Sequence, residues 1–232
     1  NIDKLDKRLI PAITKHLHYV CVEYDFKFCP ERSIEKYKAK TGKNWAGSLP
    51  EIEQFLQKAQ KIFFMSIKQM ESYFKHVEGL EQYKCVVLSS VFTKYDLEDM
   101  RVLNKLNKDR SGWLIVYSDS WIKGSKKAVE RAVSKGLQFK IVEKVEHKEL
   151  METMAKAEGI IYTPLGGDTC PRLVIEARLL GCALEINENV LHAKERWFDH
   201  NNLEFIEDYL QSRPRVFWKS VLNIINKEDF TN

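Results

Sequence analysis

Apolar runs alternate with helical patterns through the first part of the chain. The runs that predict strands are HYVCVEYDF at 18–26, KIFFM at 61–65 and KCVVLSSV at 84–91. The segments between them carry apolar residues three and four positions apart, which is typical of amphipathic helices. Residues 1–91 are therefore predicted to form helix, strand, helix, strand, helix and strand, a small parallel-sheet unit.

The second part of the chain repeats this alternation. The runs that predict strands here are WLIVY at 113–117, LQFKIV at 137–142, GIIY at 159–162 and ALEI at 183–186. Helical patterns separate them, and Gly136 and Gly181 are placed to end two of these helices. Strands joined by helices predict right-handed crossovers and a parallel, doubly wound sheet. The loops that follow the strands should then lie at one edge of that sheet.

These patterns predict an α/β protein with two Rossmann-like parallel-sheet domains. Residues 1–91 form the N-terminal domain, and 113–200 form the C-terminal domain. The charged segment 92–112, with a helical pattern inside it, is interpreted as the linker. Residues 201–232 are predicted to contain two helices, over 203–211 and 215–226.

Composition narrows the class of protein. The 232 residues carry a formal net charge of +4, and the charges are interspersed rather than grouped. This mild excess is compatible with an anionic membrane surface and gives no specific indication of nucleic-acid binding. Five cysteines without a CxxC pair indicate a reducing compartment rather than a disulfide framework or structural zinc. Because no signal-peptide pattern and no run of about 20 apolar residues occurs, we expect a cytoplasmic protein.

The most informative stretch is TPLGGDTCPRLVIEARLLG, at 163–181. It joins an apolar strand to a helix through Gly166 and Gly167, so that backbone N–H groups and a helix N-terminus are directed at one point. Such a point favours a phosphate or carboxylate. Asp168 or Thr169 is predicted to cap the helix, with Pro171 in its first turn. The alternative is an ordinary strand–helix unit with a capping Asp168 and a solvated Glu176 paired to Arg172.

This stretch resembles the donor-binding signature of the group 1 nucleotide-sugar glycosyltransferases, which have the two-domain GT-B fold. Their signature is an acid, seven residues and then Glu at the start of a helix, and Asp168 and Glu176 have that spacing. Asp168 stands where the family usually has Glu. The resemblance implies that Asp168 lies near the donor sugar and that Glu176 binds the nucleotide ribose. The following GCALEIN resembles the family's next strand.

Lys123 and Gly124 extend the resemblance. The family commonly has Arg, then Lys-Gly five positions later, after the first strand of its C-terminal domain, and both cations hold the donor diphosphate. Here Lys123 is present, but Ser118 occupies the arginine position. Arg172 is the nearest candidate for a second cation. The resemblance also implies that the loop and helix start cradle the diphosphate, through Gly166, Gly167, Thr169 and Cys170. The alternative for Lys123 is an exposed lysine at a helix start.

Acidic residues also follow the first predicted strand. Glu23 and Asp25 lie at its carboxyl end, where ligands bind in α/β sheets. The segment resembles a YDYKFC-type strand end in some family members, which implies an acceptor-side position facing the interdomain cleft. The alternative is a surface loop of mixed charge. His192 is interpreted as a surface histidine rather than a catalytic one.

The resemblance implies a hexosyltransferase that moves a sugar from a nucleoside-diphosphate donor to an acceptor hydroxyl, with retention and without a metal or other cofactor. The acceptor class stays open among glycans, lipid-linked molecules and proteins, with no nucleic acid as partner. The first strand–helix units of the family's N-terminal domain are missing here, so the resemblance implies a GT-B-like fold whose N-terminal domain, at 1–91, is reduced and partial. It also implies that the C-terminal helices, at 201–232, pack back toward that domain. The alternative function is therefore a non-catalytic nucleotide-sugar-binding module or partner subunit, and a basic nucleic-acid-binding protein is a remoter class.

Overall fold

The computed structural model describes residues 6–106 and 109–228. The chain divides into two compact units. The first comprises residues 1–89 together with 212–232, and the second comprises residues 90–211. Both are α/β units built on parallel strands, as the alternating pattern predicts.

The first unit has a three-stranded parallel sheet in the order β1-β2-β3. Its strands are β1 (Val20–Glu23), β2 (Lys61–Phe64) and β3 (Cys85–Val87), and its helices before residue 89 are α1 (Ile10–His16), α2 (Ile34–Thr41), α3 (Pro50–Lys58) and α4 (Ile67–His76). Ser33 and Ser66 cap α2 and α4, because each side chain accepts a hydrogen bond from a backbone N–H of the first turn. The strands are at the predicted places but are shorter, since the chain turns away after Glu23 and after Val87.

The second unit has a four-stranded parallel sheet in the order β5-β4-β6-β7. Its strands are β4 (Trp113–Val116), β5 (Phe139–Val142), β6 (Gly159–Tyr162) and β7 (Ala183–Ile186), and its helices are α5 (Lys94–Leu106), α6 (Ser125–Ser134), α7 (His147–Lys156) and α8 (Arg172–Leu179). Much of the predicted linker 92–112 is thus the 13-residue helix α5, which belongs to this unit. Leu97 and Met100 form the buried face of α5.

The last described residues form one helix, α9 (Leu203–Glu228), where two helices are predicted. Pro214 suggested a break, because proline removes a backbone donor and its ring clashes with the preceding turn. The helix nevertheless continues through Pro214. The division between the units falls within α9, after Gln211. In the first unit the Phe217 ring lies 4.8 Å from that of Phe63.

All five cysteines are free. Within residues 6–106 and 109–228, no helix is both long and apolar enough to cross a membrane.

Candidate functional site

The strand order of the second unit creates a switch point. From β4 the chain crosses to β5 on one side, whereas β6 and then β7 are added on the other side. Where the order reverses, the loops that follow the two central strands diverge and leave room for a ligand at the carboxyl edge of the sheet. The loops in question follow β4, at 117–124, and β6, at 163–171.

A tight contact joins these two loops. The Leu165 N–H donates to the Ile122 carbonyl at 3.0 Å. Gly124 has a φ of +62°, and a Cβ built there would lie 2.2 Å from the Thr163 carbonyl oxygen. Only glycine fits both the left-handed conformation and this approach. Gly124 therefore allows the close approach of the two loops, and this approach brings Lys123 against the loop after β6.

Lys123 meets Asp168 at this contact. The Lys123 Nζ donates to the Asp168 Oδ2 at 2.8 Å, and the Tyr162 hydroxyl donates to the same oxygen. Burial, followed by the charge of Asp168, raises the pKa of Tyr162, so the phenol remains a donor. Lys123, Tyr162 and Asp168 are called the Lys123 cluster. Its lysine and aspartate side chains are 38% and 13% exposed, so solvent reaches the pair.

The Asp168 backbone is fixed by the segment after β7. Its N–H donates to the Asn189 carbonyl at 2.8 Å, and its carbonyl accepts from the Leu191 N–H at 3.0 Å. The side chain does not cap α8, and neither does Thr169, so the capping prediction is wrong. Pro171 occupies the cap position instead of the first turn. The physical reason is that Lys123 and Tyr162 already engage the Asp168 carboxylate.

Glu176 lies in a second place. It is buried on α8, where its Oε1 lies 3.1 Å from the His147 Nε2 and accepts from the Arg172 Nε at 3.4 Å. The expected pairing with Arg172 is confirmed, but the glutamate is not solvated. Glu176 lines a cavity of about 420 Å³ between α5, α7 and α8, called the Glu176 cavity.

The Glu176 cavity combines an apolar wall with charged groups. Its apolar side chains are Met100, Val102, Leu103 and Met151, and its polar ones are Asp96, Asp99, His147, Lys148, Glu152 and Glu176. Burial opposes ionisation of Asp96, yet hydrogen bonds from Thr93 and the charges of Arg172 and His147 leave its pKa lowered. Asp168 does not line this cavity. Asp168 and Glu176, the two acids of the seven-residue spacing, therefore lie in different surroundings.

The expected second cation is not found at the Lys123 cluster. Arg172 stacks on the Phe92 ring at 4.2 Å and donates to the Val91 carbonyl, which holds it on the Glu176 side. Ser118, at the family's arginine position, exchanges hydrogen bonds with Ser125 through its backbone N–H and carbonyl. It lines a separate cavity of about 340 Å³ at the start of α6.

The predicted diphosphate cradle is largely covered. Gly166, Gly167, Thr169 and Cys170 are all buried. Burial raises the pKa of Cys170 to about 12, so it remains a neutral thiol. Its carbonyl accepts a hydrogen bond from the Ser90 hydroxyl at 3.0 Å. These residues thus pack within the second unit, and Lys123 and Asp168 are the more accessible members of the predicted site.

The prediction that His192 lies at the surface is wrong. The residue is fully buried, stacked on Trp197 and edge-on to Phe198, and not at the surface. Burial lowers its pKa to about 3, although the charge of Asp168 acts in the opposite direction. Neither ring nitrogen has a hydrogen-bond partner among the described residues. The two aromatic residues that follow within six positions were the available signal for its burial.

The acids after β1 lie in the first unit. Glu23 is buried, accepts from the Lys27 Nζ at 3.0 Å and from the Tyr73 hydroxyl at 2.6 Å, and forms with them the Glu23 cluster. Burial raises the pKa of Glu23, and these two partners oppose the rise. Asp25 accepts from Arg32 through its Oδ2. Neither acid is an unpaired carboxylate, and the acceptor-side role remains a prediction.

In comparisons with known proteins, no family model and no curated protein matches the chain. Within the described residues, no group of three or more His, Cys, Asp and Glu side chains could hold a metal ion.

Proposed function

We propose that the chain is a glycosyltransferase of the GT-B type that uses a nucleoside-diphosphate sugar. The observation that supports this most is the Lys123 cluster, because an accessible lysine and a carboxylate lie at the switch point of a parallel sheet. Ligands of such sheets bind outside the carboxyl ends of the strands at this point. The Glu176 cavity adds a concave, mixed-polarity site on the same unit.

Lys123 binds the diphosphate in this proposal. An ammonium group has three N–H donors, and one of them is directed at Asp168. The others can point to phosphate oxygens, and the side chain is accessible enough to turn toward a ligand. As the sugar leaves, negative charge grows on the diphosphate, and a fixed cation stabilises that charge.

Asp168 contacts the donor sugar. A carboxylate beside a diphosphate is unfavourable unless its charge is balanced. Lys123 and the Tyr162 hydroxyl provide that balance, because both donate to the same carboxylate oxygen. Asp168 can therefore lie near the anion and accept hydrogen bonds from sugar hydroxyls.

The nucleoside occupies the Glu176 cavity. Ribose carries two neighbouring hydroxyl donors, and a buried carboxylate accepts from such a pair. The apolar wall around Met100 and Met151 suits the face of a base. In the absence of a ligand Arg172 balances the charge of Glu176, and the His147 Nε2 lies 3.1 Å from the Glu176 Oε1.

A binding module without turnover is the second candidate. The small number of cations at the switch point favours this candidate. Ser118 stands at the family's arginine position, and Arg172 is engaged with Phe92 and Glu176. One lysine gives less stabilisation of a leaving diphosphate than two cations. Such a protein would bind the donor and not cleave it.

A thermal-shift screen tests donor binding. Nucleoside diphosphates and their sugars should raise the melting temperature, since a ligand that binds only the folded state stabilises it. Glu176→Gln should remove the rise. The matched control is Glu207→Gln, because Glu207 is another buried glutamate of the second unit, paired with Arg101. An unchanged rise in Glu176→Gln would show that Glu176 does not hold the ribose.

Turnover separates the two candidate functions. The protein is incubated with each donor that gives a shift, and release of the nucleoside diphosphate is measured with and without a panel of glycan and lipid acceptors. Release supports the transferase. Binding with no release across the panel supports the module, and no binding of any donor contradicts both.

A further inference from the structure

The second half of α9 has one packed side and one exposed side. In the first unit Phe217 contacts Phe63, and Val221 and Ile224 are partly buried. On the adjoining side, about 100° around the helix axis, Trp218, Leu222 and Ile225 are 60%, 52% and 50% exposed. These three residues follow one another at four and three positions, so they form a single stripe along the helix.

Basic residues lie beside this stripe. Arg215 and Lys219 are exposed and stand one turn before Trp218 and Leu222, respectively. The whole stretch 209–227 contains Arg213, Arg215, Lys219 and Lys227 and no Asp or Glu. In a chain with 33 acidic residues among 232, this stretch of α9 carries no acidic side chain. The stripe and its two exposed cations are called the outer face of α9.

The chemistry of the outer face selects its partner. Large apolar side chains next to cations, with tryptophan among them, are the composition of helices that lie in the interface of an anionic bilayer. The lysine and arginine heads reach the lipid phosphates while the apolar side chains enter the acyl region. A second copy of the chain would bring like charges together, which opposes self-association through this face.

We propose that the outer face of α9 binds an anionic lipid surface and holds the protein at a membrane without crossing it. This inference does not depend on the proposed glycosyltransferase activity. It requires only that the apolar stripe and the two cations act together.

The test is co-sedimentation of the full chain with vesicles of phosphatidylcholine, with and without phosphatidylglycerol. The wild type should bind the anionic vesicles and bind the neutral ones much more weakly. Arg215→Glu with Lys219→Glu should lower the partition coefficient about 25-fold or more, since each cation near such a surface contributes roughly fivefold. Leu222→Ser with Ile225→Ser should lower it by about tenfold or more, through lost apolar burial.

The matched control is Lys105→Glu with Leu106→Ser, which removes an exposed lysine and an exposed leucine from α5. It should bind as the wild type does. Far-UV circular dichroism and thermal melts show whether each variant folds.

Three results would overturn the proposal. The first is that the wild type fails to bind anionic vesicles, and the second is that the α9 variants bind as well as the α5 control. The third is that ultracentrifugation shows self-association of the wild type that the α9 variants abolish, because the outer face of α9 would then be an interface between copies of the chain.

Discussion

The two units contain the same trio of groups in two different settings. In the Glu23 cluster a lysine and a tyrosine donate to a glutamate, and in the Lys123 cluster a lysine and a tyrosine donate to an aspartate. The lysine and carboxylate side chains are 9% and 5% exposed in the first cluster. In the second they are 38% and 13% exposed.

Sheet topology explains the difference. The strands of the first unit lie in sequence order, and Glu23, at the end of β1, is bound by Lys27 and by Tyr73 of α4. In the second sheet the strand order reverses at β4, with β5 on one side of it and β6 on the other. The Lys123 cluster forms where the loops after β4 and β6 diverge. Residue types alone therefore do not indicate a ligand site. Accessibility at a switch point distinguishes the candidate site from an internal ion pair.

The largest expected effect is in the Glu23 cluster. Lys27→Met leaves Glu23 buried without its cation, and such a change costs about 3–5 kcal/mol. The midpoint of urea unfolding should fall accordingly. Lys127→Met is the control, because Lys127 belongs to an exposed pair with Glu130 and its loss should cost less than about 1 kcal/mol. Equal effects of the two changes would mean that the Glu23 cluster is not a structural ion pair.

A smaller effect concerns His192, the buried base near Asp168. Its folded pKa of about 3 lies below the ordinary 6.5, so its contribution to stability is present above pH 6.5 and is lost as the pH falls toward 3. Between pH 7 and 5 the wild type should lose about 2 kcal/mol more than His192→Phe. His16→Phe, at an exposed histidine, should keep the wild-type pH dependence. A parallel pH dependence of wild type and His192→Phe would show that His192 is accessible to protons.

Periodicity anticipated the α/β class and the places of the strands. The runs at 61–65 and 159–162 became β2 and β6 because short apolar segments between helices have few other buried arrangements. It could not anticipate α9, where the helix continues through Pro214. Local preference disfavours that helix, and the packing of Phe217 on Phe63 stabilises its second half.

The candidate site was anticipated only in part. The contact of Lys123 with Asp168 depends on Gly124 approaching Thr163, which is a long-range fit that spacing does not encode. The same holds for Glu176, whose burial depends on α5 and α7 as well as on its own helix. A seven-residue interval identifies two acids, but not the surroundings that each will face.

The smallest expected effect is the stability of the Lys123 cluster. Lys123→Met should lower the free energy of unfolding by less than about 1 kcal/mol, since solvent screens the pair. Lys135→Met is a close match, because Lys135 and Glu185 are 40% and 15% exposed. Urea denaturation should give similar values for both. A loss of unfolding free energy close to that of Lys27→Met would mean that the Lys123 cluster is a buried structural ion pair like the Glu23 cluster.

Calorimetric titration of a nucleoside diphosphate tests the central claim, that Lys123 is shared between Asp168 and a bound diphosphate. Lys123→Met should raise the Kd about tenfold or more, because a charge-assisted contact is lost. Asp168→Asn should lower the Kd, since the lysine is then released to the phosphates, while it reduces sugar transfer. Lys135→Met should bind as the wild type does. If Lys123→Met binds as well as Lys135→Met, or if Asp168→Asn weakens binding, the proposed diphosphate site is wrong.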